Sequence, residues 1–377
     1  MTPIHERIES SLKNRKSAAL FRSVASPVNE PAVDLSHNSY LNLHANAEVS
    51  SAAAYLCGNC YSGNTASRLI ATRSPLYDKL ESEITAWKGT ETALVFNSGY
   101  AANIGILQAV CSRDTAVFCD RLNHASLIDG IILSRARLHR YDHCNIDDLY
   151  RQLKQSGKHE KLIVTDTVFS MDGDRAPLGA LCELARTFGA MIMVDEAHAT
   201  GVFGKSLAGL AEETGTEDMI DIRMGTLSKA IAGLGGFFAG SGMLRDYLVN
   251  NARSLIYSTA LPHPVLAHNI AAIRHIRSNP GIGKRLCARA DAFRGALNDA
   301  GFNTRNSSTH IIPVIAGSAT EALHLGKYLE HCGIHVPSIR PPTVPEGTAR
   351  VRFSVHTCFT EKQMHIVVQS LKKWKPV

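Results

Sequence analysis

Short apolar runs alternate with helix-length segments along the middle of the chain, and this alternation constrains the fold more than any other feature. From about Thr92 onward, five runs have the length and composition of buried strands. They are residues 93–96, 116–118, 162–164, 191–194 and 236–239. Segments with apolar residues at helical spacing lie between several of them. This order predicts an α/β fold with right-handed crossovers and a largely parallel sheet covered on both faces.

The two ends of the chain have different patterns. Apolar residues recur at helical spacing near the N-terminus, which predicts an amphipathic helix over residues 4–22. Beyond about Leu261, long helical stretches at 264–277 and 282–300 are followed by two strands and two more helices, which predict a smaller α+β domain. We therefore expect an N-terminal helix and arm at 1–45, a large domain at 46–265 and a small domain at 266–377.

The composition excludes several classes of protein. A chain of 377 residues with 45% apolar and 20% charged residues is typical of a globular protein. The formal charge of +6 arises from 40 basic and 34 acidic residues without a basic block, so we expect no nucleic-acid partner. The apolar stretches are too short or too glycine-rich to predict a membrane span. Nine cysteines without framework spacing, and no signal peptide, predict a cytoplasmic protein.

Potential metal ligands form only weak patterns. Cys57 and Cys60 make a lone CxxC pair without a second pair or a thioredoxin context. The 17 histidines show no H-E-x-x-H arrangement. We therefore expect no metal.

An acid, a histidine and a lysine follow two apolar runs and indicate a cofactor. Asp195 and His198 follow one run, and Lys229 follows the hydroxyl residues Thr226 and Ser228 after another. A lysine amine forms a Schiff base with an aldehyde only when it is neutral and desolvated. A buried carboxylate such as Asp195 can keep a pyridinium nitrogen protonated. These residue types therefore predict a pyridoxal phosphate (PLP) site, with His198 bonded to the phenolic oxygen of the ring or to Asp195.

Two other interpretations of these residues remain. Asp195-Glu196-Ala197-His198 also spells the DEAH motif of helicases, whose carboxylates hold magnesium. That function requires an upstream phosphate loop, whereas Gly204-Lys205-Ser206 lies downstream, and Ala199 occupies the position of the first loop glycine. Alternatively, the acid and the histidine end a buried strand in a satisfied polar cluster that has no catalytic role.

Further candidates follow the other predicted strands, at the edge where parallel sheets bind ligands. Gly99 and Tyr100 begin a helix whose exposed amide groups suit a phosphate. His124 could stack on a flat ring, and Ser170 lies on a polar loop. Each position also has an ordinary explanation, namely a strand-to-helix turn, a structural histidine or loop turn chemistry.

Taken together, these strings resemble the α-oxoamine synthases, which are PLP enzymes of fold type I. The resemblance runs from about Asp34 to Lys372. The shared strings are residues 120–126, 168–174, 194–204, 226–236, 255–259 and 349–352. It implies a large domain with a mostly parallel seven-stranded sheet and a smaller α+β C-terminal domain. The proline-rich segment 339–345 looks most like the biotin-pathway branch of this family.

The resemblance also implies roles at the cofactor. Lys229 would carry PLP and act as the catalytic base, Asp195 would pair with the ring nitrogen, and His124 would stack on the ring. His198 and Ser170 would contact the phenolic-oxygen side. The expected phosphate ligands are Gly99, Tyr100, Thr226 and, from the second subunit of a homodimer with interfacial active sites, Ser258 or Thr259.

For the substrates, the resemblance implies that Asn38 and Arg352 bind the amino-acid carboxylate. Arg22, Arg340 and Thr343 are candidates for the acyl substrate. The implied reaction is a decarboxylative condensation of L-alanine with a pimeloyl thioester of coenzyme A or acyl carrier protein, which yields 8-amino-7-oxononanoate. Branches that resemble glycine C-acetyltransferase, serine palmitoyltransferase or 5-aminolevulinate synthase are alternatives, as is a catalytically silent relative, against which the presence of Lys229 argues.

The sequence departs from the family pattern around the expected substrate entrance. Ser39 and Asn42 replace an acid and a glycine, and Tyr77 replaces a frequent histidine. Ala199 and Ala232 each replace a glycine or a small polar residue. The cofactor residues are unchanged, so these departures bear on the substrate more than on the class of reaction.

Overall fold

The structure is a computed structural model that describes residues 2–24, 31–58, 62–70 and 74–376. Cys60, the second residue of the CxxC pair, lies outside the described residues. The helices are α1 (Pro3–Ser17), α2 (Ala47–Cys57), α3 (Pro75–Lys88), α4 (Gly99–Val110), α5 (Ala125–Ser134), α6 (Ile146–Gln155), α7 (Leu178–Phe188), α8 (Leu210–Thr214), α9 (Gly242–Asn251), α10 (Arg253–Ile256), α11 (His263–Ser278), α12 (Gly281–Asp299), α13 (Ala319–His331) and α14 (Glu361–Lys373). The strands are β1 (Val33–Asp34), β2 (Thr92–Phe96), β3 (Thr115–Asp120), β4 (Arg137–Tyr141), β5 (Glu160–Asp166), β6 (Met191–Asp195), β7 (Ile222–Thr226), β8 (Gly236–Gly240), β9 (Ile311–Gly317), β10 (Ile334–His335), β11 (Ser338–Ile339) and β12 (Ala349–Ser354).

The chain divides into two compact units. The larger unit consists of Asn38–Ser170 and Arg175–Leu286. The smaller unit consists of the described parts of Met1–His37, Met171–Asp174 and Cys287–Val377. The boundaries expected from the sequence follow residues 45 and 265, so the larger unit begins earlier and ends later than that division.

A seven-stranded sheet forms the centre of the larger unit, in the order β2-β8-β7-β6-β5-β3-β4. Strand β8 is antiparallel to both neighbours, and the pairs from β7 to β4 are all parallel. The predicted mostly parallel seven-stranded sheet is therefore confirmed. The five predicted runs are strands, and β4 and β7 complete the sheet.

The two additional strands were not among the five predicted runs, because their side chains are less uniformly apolar. β4 is an edge strand of sequence RLHRY, and most of its residues are not buried. β7 is fully buried, but Arg223 and Gly225 interrupt its apolar run. Arg223 is accommodated because its guanidinium donates to the carbonyl of Lys88 at 2.7 Å. The apolar pattern therefore identifies only strands whose side chains are uniformly apolar.

Helices α4 and α5 pack closely together beside the sheet and bury its apolar core. Ile106 and Leu107 of α4 and Ile131 of α5 are fully buried. A Cβ atom on Gly130 would lie 3.0 Å from the carbonyl oxygen of Asn103, so a side chain there would crowd the two helices. Each buried apolar side chain of this size contributes about 1.5–3 kcal/mol to stability. The packing fixes α4, whose first turn lies in the candidate site.

The smaller unit has the predicted α+β character. Strands β11, β12 and β9 form an antiparallel sheet, and β1 pairs with β10 in parallel. Helices α13 and α14 each begin with a capping box, formed by Ser318 with Glu321 and by Thr360 with Gln363. These reciprocal hydrogen bonds satisfy free amide groups of the first turn and fix where each helix begins.

The N-terminal helix is shorter than predicted. It spans Pro3–Ser17, and the chain leaves the helix through Ala19, which has a φ of 56°. None of the residues of α1 is buried, and its apolar residues Ile4, Ile8 and Leu12 are exposed. Among the described residues, no helix combines the length and the apolar character that crossing a membrane requires.

Candidate active site

The carboxyl ends of neighbouring strands bring the candidate residues of the larger unit together. Asp195 is the last residue of β6, and Thr226 is the last residue of β7. Gly99 and His124 follow β2 and β3 at the N-termini of α4 and α5. Since β3, β5, β6 and β7 are parallel, their carboxyl ends meet at one edge, where ligands of such sheets bind.

Asp195 is almost fully buried and accepts two hydrogen bonds. Its Oδ2 atom accepts from Nδ2 of Asn103 at 2.8 Å, and its Oδ1 atom accepts from the amide of Ala197 at 2.8 Å. Asn103 lies on α4 and is also buried. Asn103 was not among the predicted site residues. These bonds hold the Asp195 carboxylate in one orientation.

A second buried carboxyl group lies beside Asp195. Asp166 is the last residue of β5, and its Cα atom pairs with that of Asp195 across the two parallel strands. Its Oδ2 atom accepts a hydrogen bond from the amide of His124 at 2.7 Å. Burial, and then the charge of Asp195, raise the pKa of Asp166 well above its ordinary value. The two carboxyl groups therefore lie side by side, and Asp195 accepts one hydrogen bond more than Asp166.

His124 is the N-cap residue of α5, and its own ring forms the cap. The Nδ1 atom accepts from the amide of Ser126 at 3.3 Å and lies 2.7 Å from the Ser126 hydroxyl. His124 as a whole residue is exposed, but protein atoms surround its ring. Their desolvation of the ring lowers the pKa of the imidazole. The charge of Lys229 acts in the same direction, and that of Asp195 opposes it.

Lys229 lies on the loop after β7 and is half-buried. Its Nζ atom is 2.8 Å from Nε2 of His198. His198 is 4% exposed, and its Nδ1 atom is 2.6 Å from the hydroxyl of Tyr40. Tyr40 is fully buried and donates to Oδ1 of Asn38 at 3.1 Å. A continuous hydrogen-bonded chain therefore runs from Asn38 to the amine of Lys229.

The ring of His198 contacts Tyr40 and Lys229, and Tyr40 was not among the predicted site residues. The expected contact of His198 with the phenolic oxygen of PLP or with Asp195 stays a prediction. The hydroxyl of Tyr40 gives its single proton to Asn38, so Nδ1 of His198 donates to Tyr40. The Nε2 atom then accepts a hydrogen bond from the amine of Lys229. This contact holds the amine in one position.

The first turn of α4 contains the amide groups that are predicted to cradle an anion. Ser98 caps the helix by accepting from the amide of Ala101 at 3.0 Å, while the amides of Gly99 and Tyr100 have no acceptor within the helix. A Cβ atom on Gly99 would lie 3.3 Å from Oγ1 of Thr226. Thr226 therefore lies close to this turn, and a side chain at position 99 would require its neighbours to shift by a few tenths of an ångström.

Four other predicted cofactor residues lie on exposed or half-buried segments. The hydroxyl of Tyr100 donates to Asp129, so only its backbone amide belongs to the cradle. Ser170 is half-buried on the loop after β5. Ser258 is half-buried, and Thr259 is exposed and accepts at its carbonyl from the side chain of Asn97. Their expected contacts with PLP stay predictions.

The candidates for the acyl substrate lie together in the smaller unit. A guanidinium nitrogen of Arg22 donates to the hydroxyl of Thr343 at 2.9 Å. The guanidinium of Arg340 donates to the carbonyls of Ala19 and Phe21. Burial, and then the charge of Arg22, lower the pKa of Arg340. The structure therefore places two guanidinium groups near each other beside a hydroxyl.

The two residues expected at the amino-acid carboxylate belong to different units. Asn38 is half-buried in the larger unit and accepts from Tyr40. Arg352 lies on β12 of the smaller unit, is 6% exposed and donates to the hydroxyl of Ser354 at 3.2 Å. Their shared role stays a prediction.

Three departures from the family pattern have a structural explanation. Asn42 has a φ of 57°, a left-handed conformation that asparagine tolerates better than most residues. Ala232 has a φ of 59°, which costs a residue other than glycine about 1–2 kcal/mol. Tyr77 is buried, and its hydroxyl accepts from the amide of Leu261 at 2.6 Å. Nothing in the structure explains the presence of Ser39 or Ala199.

The sequence profile of class I and II aminotransferases matches residues 30–371. The chain belongs to the class I and II aminotransferase family. This family member is 49% identical over 325 residues to the 8-amino-7-oxononanoate synthase of Citrifermentans bemidjiense, a match that covers 85% of this chain and 83% of that protein. It is 42% identical over 374 residues to the 8-amino-7-oxononanoate synthase of Geotalea daltonii, with 96% and 95% covered.

The fold of this aminotransferase-family member is shared with a solved α-oxoamine synthase. It superposes on serine palmitoyltransferase from S. paucimobilis, a lysine-to-alanine variant with a bound PLP–myriocin aldimine, with a TM-score of 0.91 at 28% identity. The superposition covers 99% of this chain and 98% of the other. The resemblance to the α-oxoamine synthases and the expected fold type I are therefore confirmed. The DEAH-helicase interpretation of residues 195–198 has no support.

Proposed function

We propose that this protein is a PLP-dependent C-acyltransferase that condenses L-alanine with a pimeloyl thioester, releases carbon dioxide and forms 8-amino-7-oxononanoate for biotin biosynthesis. The observation that carries the proposal is the half-buried amine of Lys229, bonded to His198, in the same unit as the buried carboxylate of Asp195. The relatives named 8-amino-7-oxononanoate synthase, at 42% and 49% identity, support the choice of substrates.

The residues present fit PLP by their chemistry and by their spacing. Lys229 supplies an amine for the aldehyde, Asp195 supplies an anion for the ring nitrogen, and the first turn of α4 supplies amide donors for the phosphate. Gly99 keeps that turn open, since a Cβ atom there would lie 3.2 Å from Met224 and 3.3 Å from Thr226. We propose that these residues and His124 hold the cofactor, with Ser170 and His198 at the phenolic oxygen.

When bound, PLP supplies a ring that withdraws electrons and stabilises negative charge at the α-carbon of an attached amino acid. Asp195 supports this by opposing the positive charge of the ring nitrogen. The amine of Lys229 would remove the α-proton and later return it, and its hydrogen bond with Nε2 of His198 holds the amine in position. Tyr40 orients His198 through Nδ1.

We propose that the substrates are recognised through arginine. A guanidinium group binds a carboxylate through two parallel hydrogen bonds, which suits Arg352, together with Asn38, to an amino-acid carboxylate. Arg22 and Arg340 present two such groups beside the hydroxyl of Thr343, which suits an acyl substrate that carries negative charge, as pimeloyl thioesters do. The donor can be a coenzyme A ester or an acyl carrier protein.

We also propose a cytoplasmic homodimer in which Ser258 and Thr259 of one subunit complete the cofactor site of the other. Support comes from the exposed aromatic residue beside them, since Tyr257 is 72% exposed. Mixed dimers test this proposal. Lys229→Ala and the double variant Ser258→Ala/Thr259→Ala should each be impaired, and dimers that combine one subunit of each should regain activity through one intact site. Mixed dimers without such recovery would place both residues in the site of their own subunit.

The proposed reaction is tested with the purified full-length protein and PLP. We expect a visible absorbance band that borohydride changes, together with a covalent mass increase on Lys229 that Lys229→Ala lacks. L-alanine and pimeloyl thioester should give a decarboxylated amino-ketone, detected by mass spectrometry, with release of the thiol. A colourless protein that does not bind PLP would end the proposal. Turnover of glycine with acetyl-CoA in place of these substrates would instead indicate a glycine C-acetyltransferase.

A further inference from the structure

Asn103 and Ser126 connect Asp195 to His124 through three hydrogen bonds. Nδ2 of Asn103 lies 2.8 Å from Oδ2 of Asp195 and 2.9 Å from Oγ of Ser126. Oγ of Ser126 lies 2.7 Å from Nδ1 of His124. Asn103 and Ser126 are 1% and 0% exposed, so water does not compete for these bonds.

The direction of each bond follows from the number of available protons. The side-chain nitrogen of Asn103 carries two protons and gives one to the carboxylate of Asp195 and the other to Ser126. The hydroxyl proton of Ser126 is then left for Nδ1 of His124. The backbone amide of Ser126, at 3.3 Å, also points at this atom. A backbone amide can only donate, so Nδ1 presents its lone pair and the ring proton is on Nε2.

We propose that Asn103 and Ser126 are positioning residues that hold His124 as a neutral imidazole with its proton on Nε2. The advantage of a neutral His124 rests on the proposed PLP function. A neutral ring beside the cofactor adds no second positive charge next to the pyridinium nitrogen that Asp195 supports. A protonated His124 would instead compete for the same carboxylate.

On balance, the surroundings of His124 lower the pKa of its imidazole, which favours the neutral ring. Desolvation and the charge of Lys229 lower the pKa of the imidazole, whereas Asp195 and Asp129 raise it, and the net pKa is lowered. Asp166 accepts from the backbone amide of His124, and burial and then the charge of Asp195 raise the pKa of this carboxyl group. The N-terminus of α5 carries partial positive charge, which also disfavours an imidazolium at the cap.

The experiment measures the tautomer of His124 in the full-length protein. Histidine is labelled with ¹⁵N, and the ring shifts are followed from about pH 5 to pH 8, where histidine ordinarily titrates. His124→Gln identifies the relevant signals among those of the other histidines. Without PLP, the wild-type protein should show an unprotonated Nδ1 and a protonated Nε2. Because PLP is not needed for this measurement, its result is separate from the test of the proposed function.

Ser126→Ala removes the hydroxyl donor and keeps the backbone amide. We expect the pKa of His124 to rise by about half a unit or more, because the neutral form loses a hydrogen bond, and the tautomer protonated on Nδ1 to become populated. Ser134→Ala is the matched control, because Ser134 is a buried serine of α5 whose hydroxyl donates to the carbonyl of Ile131. It should leave both quantities unchanged.

Asn103→Ala tests the second member of the pair. Without the amide, the Ser126 hydroxyl can accept from the ring instead of donating to it, so we expect a change in the direction of Ser126→Ala. A wild-type ring protonated on Nδ1, or a Ser126→Ala variant indistinguishable from Ser134→Ala, would overturn the proposal. If Ser126→Ala has the expected effect and Asn103→Ala has none, Asn103 does not position His124. With PLP bound, the acidic limb of the kcat/KM pH profile should move to higher pH in Ser126→Ala.

Discussion

The amine of Lys229 lies 2.8 Å from Nε2 of His198, and the other ring nitrogen of His198 lies 2.6 Å from the hydroxyl of Tyr40. These side chains come from three distant parts of the larger unit and meet in one hydrogen-bonded chain. Since Tyr40 is fully buried, its hydroxyl cannot turn to solvent and holds the orientation of His198.

Tyr40→Phe should remove the hydrogen bond that orients His198. The variant leaves a buried donor on Nδ1 without its acceptor, which should lower the free energy of unfolding by about 1–3 kcal/mol in urea titrations. The pKa of the Schiff base between Lys229 and PLP should also change, and a pH titration of the visible PLP band measures it. Tyr77→Phe is the matched control, because it removes a buried hydroxyl that accepts from Leu261. It should lower stability similarly and leave the lysine unchanged.

Asp195→Asn should keep the fold and remove the anion opposite the ring nitrogen. The side chain is nearly isosteric, but its amide would meet the donor group of Asn103, which now bonds a carboxylate oxygen at 2.8 Å. We expect kcat to fall by at least about 100-fold, the scale found when one preorganised electrostatic contact is removed. Steady-state kinetics and a PLP titration measure these changes. Activity within about tenfold of the wild type would contradict the assigned role.

A buried ion pair supports the turn that carries Asp195 and His198. Nζ of Lys88 lies 2.7 Å from Oε2 of Glu196, and both side chains are almost fully buried. Lys88→Met leaves the charge of Glu196 without a partner, so we expect a loss of about 3–5 kcal/mol in the free energy of unfolding. Adding Glu196→Gln should restore part of that loss. Urea denaturation of the two single variants and the double variant gives the coupling, and additive losses would show that the pair is not coupled.

Asp166 should make stability depend on pH. Its pKa is raised in the folded protein by burial and by Asp195, so its contribution to stability is fully present below the unfolded pKa of about 4. That contribution is lost as the pH rises through the raised folded pKa. Asp166→Asn keeps an acceptor for the amide of His124 and cannot ionise. We expect the variant to be at least as stable as the wild type at neutral pH.

The measurement for Asp166→Asn is the free energy of unfolding at several pH values above about 4. The variant should show a flatter profile than the wild type over this range. Asp114→Asn is a control, because the carboxylate of Asp114 is exposed in a surface pair with Lys158. A variant at Asp166 with the same pH profile as the wild type would contradict the raised pKa.

Local sequence patterns predicted those strands whose side chains are almost all apolar. The runs that became β2, β3, β5, β6 and β8 were recognised because each is almost wholly apolar. Strand β7 was missed because Arg223 is buried there, and its partner, the carbonyl of Lys88, is distant in sequence. Strand β4 was missed because an edge strand needs few buried side chains.

The site residues also divide into those that the sequence identified and those that it did not. Asp195, His198 and Lys229 were recognisable because an acid, a histidine and a lysine after apolar runs are unusual and suit PLP. Tyr40, Asn103 and Asp166 were not, since tyrosine, asparagine and aspartate are common and gain meaning only from their partners. Tyr40 lies 158 positions from His198, and Asn103 lies 92 positions from Asp195. Contacts between residues so far apart cannot be predicted from the spacing of residues within a short segment.

The amino-acid sequence alone determined the class of fold, the cofactor chemistry and the reactive lysine, because apolar periodicity and rare combinations of reactive side chains are local properties. Only the tertiary structure decided which hydrogen-bond partners set the state of His198, Asp195 and His124. Those partners lie on separate strands and helices, and the packing of the sheet brings them within hydrogen-bonding distance. The electrostatic state of a buried group depends on that neighbourhood rather than on its own position in the chain.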